Sequence, residues 1–380
     1  MGDSRNSAMS DCVAGFNGPV KQLTMAAAYC ALHKIDYSVG MMLDAEDLGK
    51  SLRIGSIDLP GRAVLAPMSG VTDVAMRRIS ARFGASLVVS EMVASDDYVR
   101  GEEESRVRAE GAGLDLHVVQ IAGCDPHWMG EAARLAEASG AAMVDINMGC
   151  PAKRVTGGYA GSALMRTPDL ALRLIEATVK AVSIPVTLKT RLGWDDNSLN
   201  AADLARRAEQ AGVKLVTIHG RTRCQFYKGS ADWDAIRAVV DAVSIPVVAN
   251  GDCASVADAR AMLKASGAQG VMIGRAAMGR PWLVGEIAAG LAGVRFEAPS
   301  NAARAEAALE HYEGLLRLFG ERGGLRHARK HLAAYADHAR PDGGAGAARD
   351  RLRLVTSEDI HEVRRLIARL FSDPPEAEAA

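Results

Sequence analysis

From about residue 62 the chain alternates short apolar, β-branched runs with longer stretches whose apolar positions recur at helical spacing. The runs are RAVLAPM (62–68), SLVVSEM (86–92), LHVVQIAG (116–123), AMVDINMG (142–149), IPVTLKTR (184–191), KLVTIHGR (214–221), IPVVANGD (245–252) and GVMIGRA (270–276). Between them, DVAMRRISARFG, HWMGEAARLAEASG and NAADLARRAEQAG place apolar residues three and four apart and close on glycine, which marks a helix and its C-cap. Eight strands, each followed by a helix, predict an α/β fold, a (β/α)8 TIM barrel within residues 51–300. AVSIPV occurs at 181–186 and again at 242–247, an offset of 61 residues that corresponds to two strand–helix units. A doubly wound open sheet is the competing arrangement, and no G-x-G-x-x-G follows the first strand to support it.

After residue 300 the strands stop. NAARAEAALEHYEGLLRLFGERGG, LRHARKHLAAYADHAR and SEDIHEVRRLIARLF read as helices, the last with Ser357 as N-cap, and PDGGAGAARD reads as a glycine-rich loop. These predict a small C-terminal helical domain over residues 301–371 and a flexible tail over 372–380. Residues 1–50 lack a clear period and are expected to form a poorly ordered N-terminal extension. MAAAYCALHK within them is too short and too poorly flanked to be a signal peptide.

Composition narrows the class without naming it. Apolar residues make up 48% of the 380 and charged residues 24%, ordinary values for a globular protein. The formal charge of −1 gives no global sign of nucleic-acid binding, so such a function needs a local basic face. The cysteines (Cys12, Cys30, Cys124, Cys150, Cys224, Cys253) form no C-x-x-C pair, so neither a metal site nor a disulfide scaffold is expected. That usage suits a reducing compartment, and no apolar stretch reaches the 18–20 residues of a membrane helix. The expectation is a cytoplasmic monomer without membrane partner or metal.

Barrel chemistry sits at the carboxyl ends of the strands. Those ends carry Pro67, Met68 and Ser69, then Glu91, Gln120, Asn147 with Cys150, Lys189 with Arg191, and His219 with Arg221. The last two carry Asn250, Gly251 and Asp252, then Gly274 and Arg275. Loops after the seventh and eighth strands commonly bind phosphate through backbone N–H groups, and Arg275 can add a forked contact. Gly251 and Gly274 are otherwise tight-turn residues. Lys189 ends an apolar strand, where it faces either an electron-rich ligand or the solvent rim. His219 fits a ligand contact or a satisfied core position, and Glu91 fits a partner for a cation in the mouth. Cys150 lies on a Gly149–Pro151 turn before a glycine-rich loop carrying Lys153 and Arg154, like a basic lid. As a residue it is buried filler or a reacting thiol, able to donate a proton as well as attack.

Taken together the strand ends resemble the tRNA-dihydrouridine synthases, closest to the bacterial B-type branch. The segments are LAPMSGVTD, VQIAG, DINMGCPAKRVTGGYAGSALM, VTLKTRLGWD, TIHGRTRCQFYKGSADW, VVANGDCASVADA and GVMIGRAAMGRPW, spanning about residues 60–285 and continuing more weakly to 335. The resemblance implies an FMN-binding barrel and a helical domain that helps hold tRNA, with NADPH as reductant of the uridine C5–C6 double bond. It implies that Pro67, Met68 and Ser69 line the isoalloxazine, that Gln120 and Lys189 meet its polar edge, and that His219 and Arg221 lie near the flavin. Asn250, Gly251, Asp252, Gly274 and Arg275 would hold the phosphate, Asn147 would position the uracil, and Cys150 would donate a proton to C5. Lys153 and Arg154 would face RNA, as would Arg326, Arg329 and Lys330, which share a helical face by their spacing. Ala334–Tyr335 stands where the family has an aromatic pair. The alternatives are an FMN barrel reducing a small molecule, or a tRNA-binding protein that has lost catalysis.

Overall fold

Eight parallel strands close on themselves in chain order. They are β1 (Ala63–Leu65), β2 (Leu87–Ala94), β3 (Val118–Ala122), β4 (Met143–Met148), β5 (Val186–Arg191), β6 (Leu215–His219), β7 (Val247–Asn250) and β8 (Gly270–Ile273), with β8 paired back to β1. This computed structural model describes residues 51–339 and 345–371, so the expected extension over 1–50 and the tail over 372–380 lie outside the described residues. The barrel is therefore a (β/α)8 TIM barrel followed by C-terminal helices, as the alternation predicts.

Two-residue alternation sorts each strand into an outer and an inner row. Val88, Val119, Ile121, Val144, Ile146, Leu188, Val216 and Ile218 pack outward under the helices. Val64, Leu87, Val89, Val118, Met143, Leu215, Val248 and Met272 fill the interior. A small antiparallel hairpin, Arg53–Ile54 with Ile57–Asp58, closes the bottom by inserting Ile54, which is fully buried, among these interior residues. Its two-residue strands are too short to show a period, and its turn depends on Gly55 at φ +60°. β1 is shorter than its apolar run because Pro67 has no N–H for the ladder.

Helix starts follow their capping residues. Asp73 accepts from the amides of Ala75 and Met76 ahead of Val74–Arg82, and Asp125 from those of His127 and Trp128 ahead of Pro126–Ala138. The C-terminal part departs from the sequence expectation in three places. The first two helices form one segment, Asn301–Ala339, broken at Gly320 (φ +69°) rather than at Gly323–Gly324. Gly324 instead lets the two halves approach: a Cβ there would lie 2.6 Å from the Leu315 carbonyl oxygen. Residues 345–350, expected as loop, open the helix Ala345–Thr356, in keeping with their alanine content. The last helix, Ile360–Leu370, is capped by Asp359, whose side chain accepts from the His361 amide, while Ser357 Oγ donates to Glu362 Oε2 (2.6 Å). These helices share a core of their own around Tyr312, Leu315, Leu332, Tyr335, Val363, Leu366 and Ile367. Among the described residues no helix is long and apolar enough to cross a membrane.

Candidate active site at the carboxyl ends of the strands

The polar residues of the mouth continue the inward rows of the strands. On β4 the row runs Met143, Asp145, Asn147, and it pairs in register with Gln120 of β3 and with Thr187 and Lys189 of β5. The pairing builds a hydrogen-bond relay. Thr187 Oγ1 donates to Asp145 Oδ1 (2.6 Å) and Gln120 Nε2 donates to Asp145 Oδ2 (2.7 Å). Asn147 Nδ2 donates to Gln120 Oε1 (2.8 Å), and Asn147 Oδ1 accepts from the amides of Gly149 (3.2 Å) and Cys150 (2.9 Å). Burial pushes the Asp145 carboxyl up, and the bonds from Gln120 and Thr187 and the charge of Lys189 oppose that shift.

The relay ends at Cys150, which is half-buried and unbonded to another cysteine. Its carbonyl accepts from Ser162 through both the amide (3.0 Å) and Oγ (2.8 Å). Gly161, at φ +58°, makes that return possible, since a Cβ there would lie 2.9 Å from the Cys150 carbonyl oxygen. The loop expected as a lid contains the short helix Lys153–Thr156, on which Lys153 and Arg154 are exposed. Arg191, to which the sequence alone gives no role, ties the cysteine turn to the next loop. Its Nε donates to the Gly149 carbonyl (2.8 Å), and its Nη1 donates to those of Thr222 (3.0 Å) and Phe226 (2.9 Å). Only its place next to Lys189 near the end of a strand could have signalled this.

Lys189 donates to Asn250 Oδ1 (3.0 Å), and Asn250 Nδ2 donates to the Met272 carbonyl (2.8 Å). Burial and the neighbouring Arg191 lower the Lys189 ammonium to about 8, against the opposing charge of Asp145. His219 is pushed down to about 2 by burial and by Lys189, Arg191, Arg221 and Arg275, so it is neutral in the mouth.

Arg221 after β6 and Asp252 after β7 form a two-pronged pair with contacts of 3.0 and 2.5 Å. Asp252 also meets Arg275 (3.5 Å), whose guanidinium is exposed and lies 4.9 Å from the Tyr227 ring centroid. Gly251 stands at φ +125°, pressed against His219 and Ala231. Among the described residues the amides of Gly251, Asp252, Gly274 and Arg275 make no hydrogen bond. Orphan amides beside an exposed guanidinium fit a phosphate group. Pro67, Met68 and Ser69 form the loop after β1, on the rim facing this end; the Met68 sulfur lies 3.7 Å from a Cβ placed on Gly274.

The basic helix divides. Arg326 and Lys330 are exposed and Arg329 is half-buried, and the Lys330 ammonium reaches the Gly70 turn, 3.3 Å from a Cβ placed there. Burial lowers Lys330, and Glu91 and Asp73 oppose the shift. Glu91 itself accepts from the Gly70 amide and lies 3.8 Å from Arg108. Gly70, Asp73, Glu91 and Arg108 wall a cleft of about 500 Å³ that faces Leu315, Phe319 and His327 of the C-terminal helices.

A closed parallel barrel with its polar residues gathered at the strand ends, and with unpaired amides after β7 and β8 among the described residues, has the architecture of a TIM-barrel enzyme. Residues 64–356 match the family described as dihydrouridine synthase (Dus). The chain belongs to that family, which makes it an oxidoreductase of the tRNA-dihydrouridine synthase group. It is 56% identical over 310 residues to a probable tRNA-dihydrouridine synthase of Rhizobium leguminosarum bv. phaseoli, covering 82% of this chain and 94% of that one. A probable tRNA-dihydrouridine synthase of Rhodobacter capsulatus is 51% identical over 327 residues, covering 85% and 98%. tRNA-dihydrouridine synthase B of Xanthomonas axonopodis pv. citri is 47% identical over 290 residues, covering 76% and 87%.

Proposed function

We propose that this chain is an FMN-dependent tRNA-dihydrouridine synthase of the cytoplasm that reduces the C5–C6 double bond of specific tRNA uridines, with NADPH as reductant. The observation that carries the reading is the relay from Thr187 through Asp145, Gln120 and Asn147 to the backbone of Cys150. It fixes a thiol at the same mouth as an open phosphate cradle. FMN bound there would supply hydride to C6 of the uracil.

The chain's own residues supply placement and the proton. The amides of Gly251, Asp252, Gly274 and Arg275, with the Arg275 guanidinium, meet the phosphate, and Arg221 holds Asp252 in the shape that presents them. Lys189 spends one N–H on Asn250 and has two more for the electron-rich edge of the ring, and Gln120 has one further N–H. Pro67, Met68 and Ser69 line the opposite side. Neutral His219 contributes a hydrogen bond without adding charge. Asn147 positions the uracil, and Cys150 Sγ delivers its proton to C5 as hydride arrives at C6. The amide and carbonyl of Cys150 are both hydrogen-bonded, which fixes the turn that presents its thiol for that step.

The uridine must leave its stack to reach a barrel mouth, and Lys153, Arg154, Arg326 and Arg329 hold the tRNA phosphates while it does so. The direct test is chemical. Purified protein should be yellow, bleach with NADPH and form dihydrouridine in unmodified tRNA. Activity on free uracil or orotate but not on tRNA would instead make it a small-molecule reductase. Colourless protein that binds tRNA would make it a silent binder.

A further inference from the structure

Asp73, His311 and His331 converge where the C-terminal helices dock on the barrel. Asp73 caps the helix Val74–Arg82, and the histidines stand on either side of the Gly320 break. All three are buried, at 4%, 1% and 2% exposure. The two carboxylate oxygens of Asp73 divide their work. Oδ1 accepts from the amides of Ala75 (3.0 Å) and Met76 (3.1 Å). Oδ2 faces His311 Nε2 at 3.2 Å and His331 Nε2 at 3.7 Å. His331 is an orphan: neither ring nitrogen makes a hydrogen bond among the described residues. A buried imidazole whose ring nitrogens make no hydrogen bond is destabilising, so the site has an unmet demand.

The geometry points to a divalent cation of the zinc class, held by Asp73 Oδ2, His311 Nε2 and His331 Nε2, that clamps the helical unit to the barrel. Bonds of about 2.1 Å in a tetrahedron put neighbouring ligand atoms about 3.4 Å apart. The spacings of 3.2 and 3.7 Å bracket that value, and the three residues' ligand atoms all lie within 4.8 Å of one another. Two imidazoles and one carboxylate are a borderline donor set suited to zinc, and to cobalt as its spectroscopic substitute. His311 carries the outer partner such ligands usually have, because its Nδ1 lies 3.3 Å from Tyr335 Oη. Asp73 also lines the cleft between the mouth and the C-terminal helices, from which an ion could reach the three residues. No spacing along the chain signals this site, because 238 residues separate Asp73 from His311.

The test needs neither tRNA nor flavin turnover, so its outcome is independent of the proposed reaction. Untagged full-length protein, in a Cys12→Ser, Cys30→Ser, Cys124→Ser, Cys224→Ser background that removes the thiols exposed among the described residues and those of residues 1–50, is stripped with a chelator and titrated with Co²⁺ and then Zn²⁺. One equivalent of cobalt should give the visible absorption of a four-coordinate ion, displaced by zinc, and zinc should raise Tm. His331→Ala should abolish both effects, and Tyr335→Phe, which keeps the packing, should weaken binding about 10–100-fold. A wild-type chain that takes up no ion, with Tm indifferent to zinc and chelator, is a hydrogen-bonded triad and overturns the assignment. Uptake that survives unchanged in His331→Ala also overturns it.

Discussion

Cys150 is held on both sides through its backbone, by Asn147 at the amide and by Ser162 at the carbonyl. With the backbone fixed, the position of the thiol is fixed too, and a thiol can serve as a general acid. Cys150→Ala is expected to keep flavin and tRNA affinity and to lower single-turnover dihydrouridine formation by about 10²–10⁴-fold, the usual worth of a positioned acid. Wild-type turnover in that variant would falsify the proton-donor role. Lys189 titrates from about 8 in the folded chain against 10.5 for the free side chain. Between those values the unfolded chain binds more protons than the folded one, so this group's contribution to stability rises with pH across the window. Its burial penalty is fully present below about 8. In flavin-free protein, urea unfolding of wild type minus Lys189→Met should therefore climb between pH 8 and 10.5. A flat or falling difference curve contradicts the assignment.

At the scale of elements, the return of the chain after the cysteine turn depends on one glycine. A Cβ on Gly161 would press the Cys150 carbonyl oxygen at 2.9 Å, and the backbone there is left-handed. Gly161→Ala is expected to cost about 1 kcal/mol of stability or more, and a larger share of activity, because the displaced group carries the acid. Comparing urea midpoints with kcat separates the two effects. Equal activity per folded molecule would show that the turn tolerates the shift. The strand-end residues Gln120, Asn147 and Lys189 are legible in sequence because each follows an apolar run at an inward position. Arg191, two residues beyond Lys189, is legible as a strand-end residue, but its role is not, because its partners are the carbonyls of Gly149, Thr222 and Phe226 on other loops.

The whole molecule is a barrel with a helical unit packed beside its mouth. The approach is close: a Cβ on Gly314 would lie 2.6 Å from Ala75 Cβ, and Arg82 pairs with Glu310 at 2.6 Å. This docking divides the basic helix by direction: Arg326 and Lys330 are both exposed, but the Lys330 ammonium turns toward the Gly70 turn, with Glu91 and Asp73 nearby. Arg326→Gln with Arg329→Gln should weaken tRNA binding and reduce its salt slope by about one for each phosphate that is no longer neutralised. Adding Lys330→Met should change the slope little further. Binding measured from low to moderate salt checks both, and an unchanged slope in the double variant would remove this helix from the RNA surface.

The period of apolar positions was sufficient for the barrel, because alternation and helical spacing are local properties that burial imposes on any such chain. It also placed the polar strand ends at one mouth, since a closed barrel carries all its carboxyl ends on the same face. What only the tertiary structure decided is how residues far apart in the chain meet. The bottom hairpin, the break at Gly320 rather than Gly324, the direction of Lys330 and the meeting of Asp73 with two histidines all depend on how elements dock. Docking is set by shape and by unpaired polar groups across distant segments, and no single window of sequence contains both sides of such an interface.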